Sequence, residues 1–153
     1  MAFRIVVGYD GSDGAKAALD EAAGLARQLA GELLVTYAFG GPRQYSGASL
    51  TPRHALQEIG EKLLAEALAR IADSGVSAQP VLVDDNSYRG LMSVADQHDA
   101  GMIVVGTHGE VMFSGVILGS TPYRLVHSST RPVLVVPVRG REPAAGPSSG
   151  KEG

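Results

Sequence analysis

The stretch Met102-Ile103-Val104-Val105-Gly106-Thr107-His108-Gly109, followed further on by Gly119-Ser120-Thr121, decides how this chain folds. The apolar, β-branched run Ile103-Val104-Val105 reads as a strand buried on both faces. It empties into glycine, and Ser120 and Thr121 then stand where a helix begins. Glycine has no Cβ, so backbone amides can approach an anion closely, and a helix N-terminus offers N–H groups without intrahelical partners. Strand, glycine loop and helix start, in that order, make room for phosphate. The reading is a nucleotide-binding protein.

Outward from that stretch, short β-branched runs alternate with long amphipathic ones. Ile5-Val6-Val7 is a buried strand that ends in Gly8-Tyr9-Asp10-Gly11-Ser12. A helix follows from about Asp13 to Ala30, with Ala18, Ala22, Leu25, Ala26 and Leu29 at helical spacing. Its alanines allow a close approach to a sheet. Leu33 to Tyr37 is a second strand, broken by Gly40-Gly41-Pro42. Residues 40–50 are polar, glycine-rich and without period, and read as a mobile loop.

Thr51-Pro52 has the form of a helix start, Thr as cap and Pro at the first helical position. Leu56, Ile59, Leu63, Leu64, Ala67, Leu68 and Ile71 form the apolar stripe of that helix, and Asp73-Ser74-Gly75 ends it. Val76 to Val83 is a third strand. Pro80 within it marks a sheet edge, because proline has no N–H to give to a ladder. A shorter helix covers Ser87 to Gln97, another Ser120 to Ser128, and Pro132 to Val138 is the last strand. Residues 1–139 form one domain. Beyond them, residues 140–153 offer nothing to bury and read as a disordered tail.

Composition narrows the function. The 153 residues are 44% hydrophobic, enough for a globular core. A formal net charge of −3 leaves no electrostatic footprint for nucleic acid. With no cysteine, disulfides, thiolate catalysis and Cys-based zinc sites are excluded. His54, His98, His108 and His127 form no ligand spacing, so no metal site is expected, and His108 reads as a surface residue of the glycine loop. Neither a signal segment nor an apolar run of membrane-spanning length is evident, which makes a cytoplasmic location the expectation.

Strands alternating with helices imply βαβ units, hence a mainly parallel sheet covered on both faces. Ligands of such sheets bind outside the carboxyl ends of the strands, where the strand order reverses. Two loops suit that place: Asp10 to Ser12 after the first strand and Gly106 to Thr121 after the fourth. If those strands are neighbours, both loops frame one crevice.

Competing motifs fail on their spacing. Gly146-Pro-Ser-Ser-Gly-Lys151 echoes a Walker loop but is one residue short and lacks the following Ser/Thr. Gly8, Gly11 and Gly14 are wrongly spaced for a dinucleotide fingerprint. Asp10, Ser12 and Glu21 echo a calcium loop, but Ala15 stands where that loop needs glycine. No serine elbow accompanies the histidines.

The spacing Gly-x2-Gly-x9-Gly-Ser, here Gly106, Gly109, Gly119 and Ser120, resembles that of the ATP-binding universal stress proteins. The opening Ile-Val-Val-Gly-Tyr-Asp-Gly-Ser and the closing Arg131-Pro-Val-Leu-Val-Val-Pro are similar to the ends of that family, and the resemblance runs from about Ala2 to Val138. It implies a Rossmann-like α/β fold of three layers, an open parallel five-stranded sheet of order 3-2-1-4-5 with helices on both faces. It also implies a ligand, ATP with Mg²⁺. Asp10 would face the ribose hydroxyls as a charged acceptor. Backbone near Tyr37 and Ala38 would meet adenine, with Gly8, Tyr9 and Val105 at the neighbouring strand ends. Gly106, Gly109, Gly119, Ser120 and Thr121 would line the phosphates. Ser12 and Asp13 are better placed than Asp10 to cap the first helix.

Two departures from the family pattern stand out. Glu110 occupies the place after Gly109 where many relatives carry a basic residue, and Pro122 removes one N–H from the first turn after Ser120. The resemblance implies a stress-response regulatory module without efficient catalysis, limited to slow ATP hydrolysis or self-phosphorylation on Ser120. No catalytic residue is assigned. A nucleotide-independent dimeric interaction protein of the same fold is the alternative. In either case Val133 to Val138, as an apolar edge, is the expected homodimer contact.

Overall fold

The computed structural model describes residues 2–40, 52–108 and 118–138. Five parallel strands, β1 (Arg4–Gly8), β2 (Glu32–Ala38), β3 (Ser77–Val83), β4 (Met102–Gly106) and β5 (Val133–Val136), form one sheet in the order β3-β2-β1-β4-β5. Four α-helices connect them: α1 (Asp13–Gln28), α2 (Arg53–Arg70), α3 (Ser87–Gln97) and α4 (Ser120–Ser128). The expected strand order holds, and β1 and β4 are neighbours. Ile5 pairs with Leu33 on one side and Met102 on the other, and Val7 with Val35 and Val104.

The central strands read as unbroken apolar runs because both faces are covered. Ile5, Val6 and Val7 are each 0% exposed. The pleat sends Ile5 and Val7, with Leu33, Val35 and Val104, toward α1 and α2. It sends Val6, Leu34, Ile103 and Val105 to the opposite layer, where they meet Leu91 and Val94 of α3 and Leu125 of α4. Each such buried side chain stabilises the fold by roughly 1.5–3 kcal/mol relative to leaving it in water. β3 and β5 are the edges, as Pro80 in β3 required. β5 is shorter than expected: it stops at Val136, before Pro137, which has no N–H to continue the ladder.

α1 begins at a true cap. Ser12 Oγ accepts from the Ala15 N–H at 3.2 Å, and Asp10 Oδ1 accepts from the Ser12 N–H at 3.0 Å. Ala15, Ala18, Ala22 and Ala26 are buried and let the helix lie close on the sheet. The helix ends at Gln28, earlier than expected. Ala30 turns left-handed (φ 51°), and the Gly31 N–H donates to the Ala26 carbonyl at 2.7 Å. Leu29, the residue that follows the helix, is 48% exposed and not part of the buried stripe. α3 closes in the same way, with Asp99 left-handed (φ 49°) and the Ala100 N–H on the Ala95 carbonyl.

α2 corrects two further expectations. Pro52 is the residue before the helix, not its first residue. Thr51, its expected cap, lies outside the described residues, as do residues 41–50, Gly109, Glu110 and the tail at 140–153. Only Gly60, Leu64 and Ala67 of α2 are buried, and Ile59 is 46% exposed. The helix covers the edge side of the sheet, β2 and β3, so it has less surface to bury than a stripe of seven apolar residues presumes. Among the described residues no helix is long and apolar enough to cross a membrane.

Candidate functional site

The strand order reverses between β1 and β4, so their outgoing loops diverge and leave a cleft above the carboxyl edge of the sheet. The space there, its open mouth included, is about 530 Å³. Its floor is the strand ends: Gly8, Thr36, Tyr37, Ala38, Val105 and Gly106. Tyr9, Asp10 and Ser12 form one wall, Ser87 and Leu91 of α3 another, and His108, Thr121 and Pro122 a third.

Helix starts surround this cleft. In a parallel α/β sheet each helix begins near the carboxyl end of a strand, so the N-termini of α1, α3 and α4 open on the same side. Ser12 caps α1 and Asn86 caps α3, its Oδ1 accepting from the Arg89 N–H at 3.1 Å. Gly119 precedes α4 without a side-chain cap. The first-turn amides of Ser120 and Thr121 lie at that uncapped end, where an α-helix leaves N–H groups without intrahelical partners. Pro122 contributes no N–H. The concentration of positive helix ends favours an anion although the chain as a whole is acidic.

Among the described residues Asp10 carries the one carboxylate of the lining. Its Oδ1 is held by the Ser12 N–H, which fixes the side chain and leaves Oδ2 for a ligand. Asp10 therefore does not cap α1; Ser12 does. The Tyr9 ring belongs to the core between α1 and α2, so Tyr9 offers the cleft mainly backbone. Burial pushes its phenol pKa up, and the nearby Glu66 carboxylate adds to the rise. Tyr9 N–H donates to the Thr36 carbonyl at 2.9 Å, which ties the loop after β1 to the end of β2.

Of the residues expected from sequence, Gly8, Tyr9, Asp10, Ala38, Val105, Gly106 and Thr121 line the cleft together. Gly119 and Ser120 stand beside it at the start of α4, and Gly109 lies outside the described residues. The Gly119 N–H donates to the Thr107 carbonyl at 2.7 Å, and a Cβ on Gly119 would stand 3.0 Å from that same oxygen. Gly119 thus joins the end of β4 to the start of α4.

Ser87 and Leu91 also line the cleft, as does His108, expected as a surface residue of the glycine loop. The His108 Nδ1 lies 2.9 Å from Thr107 Oγ1. Asp84-Asp85-Asn86-Ser87 was a legible helix start after a strand. Its approach to the cleft depends on α3 crossing from β3 to β4 over the face of β1 and β2, which no local pattern encodes. Among the described residues no group of three His, Asp or Glu side chains could hold a metal ion.

The universal stress protein family model matches residues 1–137. A curated relative from Bacillus subtilis, universal stress protein YxiE, is 30% identical over 145 residues, covering 87% of this chain and 97% of the relative. Among solved structures, a universal stress protein from Archaeoglobus fulgidus is similar with a TM-score of 0.72 and 25% identity, over 89% of this chain and 99% of that one. A universal stress protein solved in complex with cAMP is similar with a TM-score of 0.67 and 27% identity, over 89% of this chain and 97% of that one.

Proposed function

The chain belongs to the universal stress protein family, and from that membership we propose that its cleft binds an adenine nucleotide, ATP with Mg²⁺, and that the protein is a nucleotide-responsive regulatory module. The observation that carries the reading is the cleft itself. A fixed carboxylate, Asp10, stands on one side and the uncapped start of α4 on the other, with Ala38 and Gly8 on the floor between them. A nucleotide needs such a polarity: an acceptor for ribose hydroxyls at one end and N–H donors for phosphate at the other. The related protein solved with cAMP supports an adenine nucleotide as the ligand class.

In this reading Asp10 takes the ribose hydroxyls and the backbone near Ala38 meets the base. The amides of Ser120 and Thr121, with the loop from Gly106 through Gly109 to Gly119, take the phosphates. Mg²⁺ would arrive with the phosphates rather than on a carboxylate cluster, as is usual for this ion. Titration calorimetry of nucleotide-free protein with MgATP tests the reading, with Asp10→Asn beside the wild type. The reading requires heat with the wild type and a weaker response in the variant. Silence from a folded, nucleotide-free wild type refutes it.

One observation favours a second feature, homodimerisation. β5 is an edge strand whose Val133, Leu134 and Val135 are only half-buried. Antiparallel pairing of two such edges across a two-fold axis would satisfy the open ladder. The pairing segment is then Val133–Val136, because β5 ends there. Sedimentation at micromolar concentration decides it; a monomer counts against the pairing.

A further inference from the structure

Arg89 of α3 and Arg124 of α4 converge on one tyrosine. The Arg124 Cζ lies 5.1 Å from the Tyr88 ring centroid and the Arg89 Cζ 5.8 Å from it. Arg89 Nε also donates to Tyr88 Oη at 3.2 Å. Tyr88 is itself packed against the α3–α4 side of the core, so the cluster has a fixed base. The phenol pKa is lowered, first by the hydrogen bond from Arg89 and then by Arg124.

Charge pairing sets these two, with Arg27 of α1, apart from the other described arginines. Arg4, Arg53, Arg70 and Arg131 each meet a carboxylate: Glu32, Asp84, Asp20, and Asp96 with Asp99. Among the described residues neither Arg89 nor Arg124 forms an ion pair, although Asp85 attracts Arg89 more weakly. Two guanidinium groups drawn to one ring repel each other. An anion between them turns that repulsion into attraction, and the planar fork of arginine suits phosphate oxygens in particular.

Position joins the cluster to the cleft. Ser87, which precedes Tyr88, and Thr121, one helical turn before Arg124, are both lining residues. The cluster therefore bridges the N-terminal halves of α3 and α4 beside the cleft. We propose that Arg89 and Arg124, held together by Tyr88, form the seat for the distal phosphates of a polyphosphate ligand and so set a preference for nucleoside triphosphate over monophosphate. This rests on the nucleotide reading of the cleft, but the anion seat can be tested apart from it.

The experiment is a calorimetric titration of wild type, Arg124→Lys and the Arg89→Gln/Arg124→Gln double variant with AMP, ATP and inorganic tripolyphosphate. Both side chains are exposed, so the variants should fold, as circular dichroism will show. Losing two charge-assisted contacts should weaken ATP and tripolyphosphate about ten-fold or more while AMP stays within about two-fold, with Arg124→Lys in between. An unchanged ATP-to-AMP ratio in the double variant overturns the proposal, as does an equal loss for AMP. If tripolyphosphate binds through the arginines but no nucleotide binds, the seat stands and the adenosine reading falls. If neither binds to wild type, both fall.

Discussion

Gly14, in the first turn of α1, and Gly106, the last residue of β4, meet backbone to backbone. A Cβ on Gly106 would stand 2.5 Å from both the carbonyl carbon and the carbonyl oxygen of Gly14, and one on Gly14 would stand 2.5 Å from the His108 carbonyl oxygen. The glycine that opens the loop motif thus serves packing, whatever it does for a ligand. It lets α1 settle onto the end of β4, and that contact puts Asp10 and Ser12 across the cleft from His108 and Thr121.

Gly106→Ala should therefore destabilise the fold, by about 2–3 kcal/mol, because the obstructing atoms are backbone and cannot swing aside. Urea denaturation measures it. A change under about 0.5 kcal/mol would show that α1 moves freely away from β4. The same contact makes Gly106 a poor probe of binding, since a variant that fails to bind will also have shifted α1.

Ala30 occupies a left-handed position (φ 51°) that glycine adopts without a Cβ clash. Ala30→Gly should stabilise the protein by about 0.5–1 kcal/mol, the relief of strain exceeding the extra entropy of the unfolded chain. Thermal denaturation reads this as a higher Tm. A lower Tm would mean that the turn after α1 carries no strain.

Tyr9 gives the fold an alkaline limit. Burial and Glu66 raise its folded-state pKa above the ordinary 10.0, so above pH 10 the unfolded chain releases this proton while the folded one retains it. The contribution is whole below pH 10 and is lost as pH climbs through the raised value. Denaturant titrations at pH 9, 10 and 11 should show stability falling, with a shallower fall in Tyr9→Phe. Equal slopes in the two proteins would mean that Tyr9 ionises normally.

Leu125 is 0% exposed, and with Pro122 it makes up the buried face of α4, whose Tyr123 and Val126 are each 55% exposed. Leu125→Ala should cost about 2–5 kcal/mol. Hydrogen exchange should show α4 opening more readily than β1. Uniform loss of protection across both elements would instead place α4 in the global cooperative unit.

The strands were legible because a parallel sheet buries both faces of its central strands, which leaves runs such as Ile5-Val6-Val7 and Ile103-Val104-Val105 with no polar interruption. The starts of α3 and α4 could be read at Ser87 and at Gly119-Ser120. Pro80 gave the edge position of β3, whereas the order of the remaining strands came only from the family resemblance. Leu29 and Ile59 were misplaced for one reason: helical period identifies a face but not how far the neighbouring layer extends beneath it. In the cleft, Asp10, Ala38 and Gly106 were legible as strand-end residues. Ser87, Leu91 and the pairing of Arg89 with Arg124 on Tyr88 were not, because each depends on how α3 and α4 pack across the sheet.

The central claim is that one nucleotide spans the cleft from Asp10 to the start of α4. Backbone amide mapping by NMR during a titration of nucleotide-free protein with MgATP tests it most directly. The account predicts saturable shifts that cluster at Gly8, Asp10, Ala38, Ser120 and Thr121, with α2 and β3 unmoved. Shifts confined to other surfaces, or none at millimolar nucleotide, would contradict it.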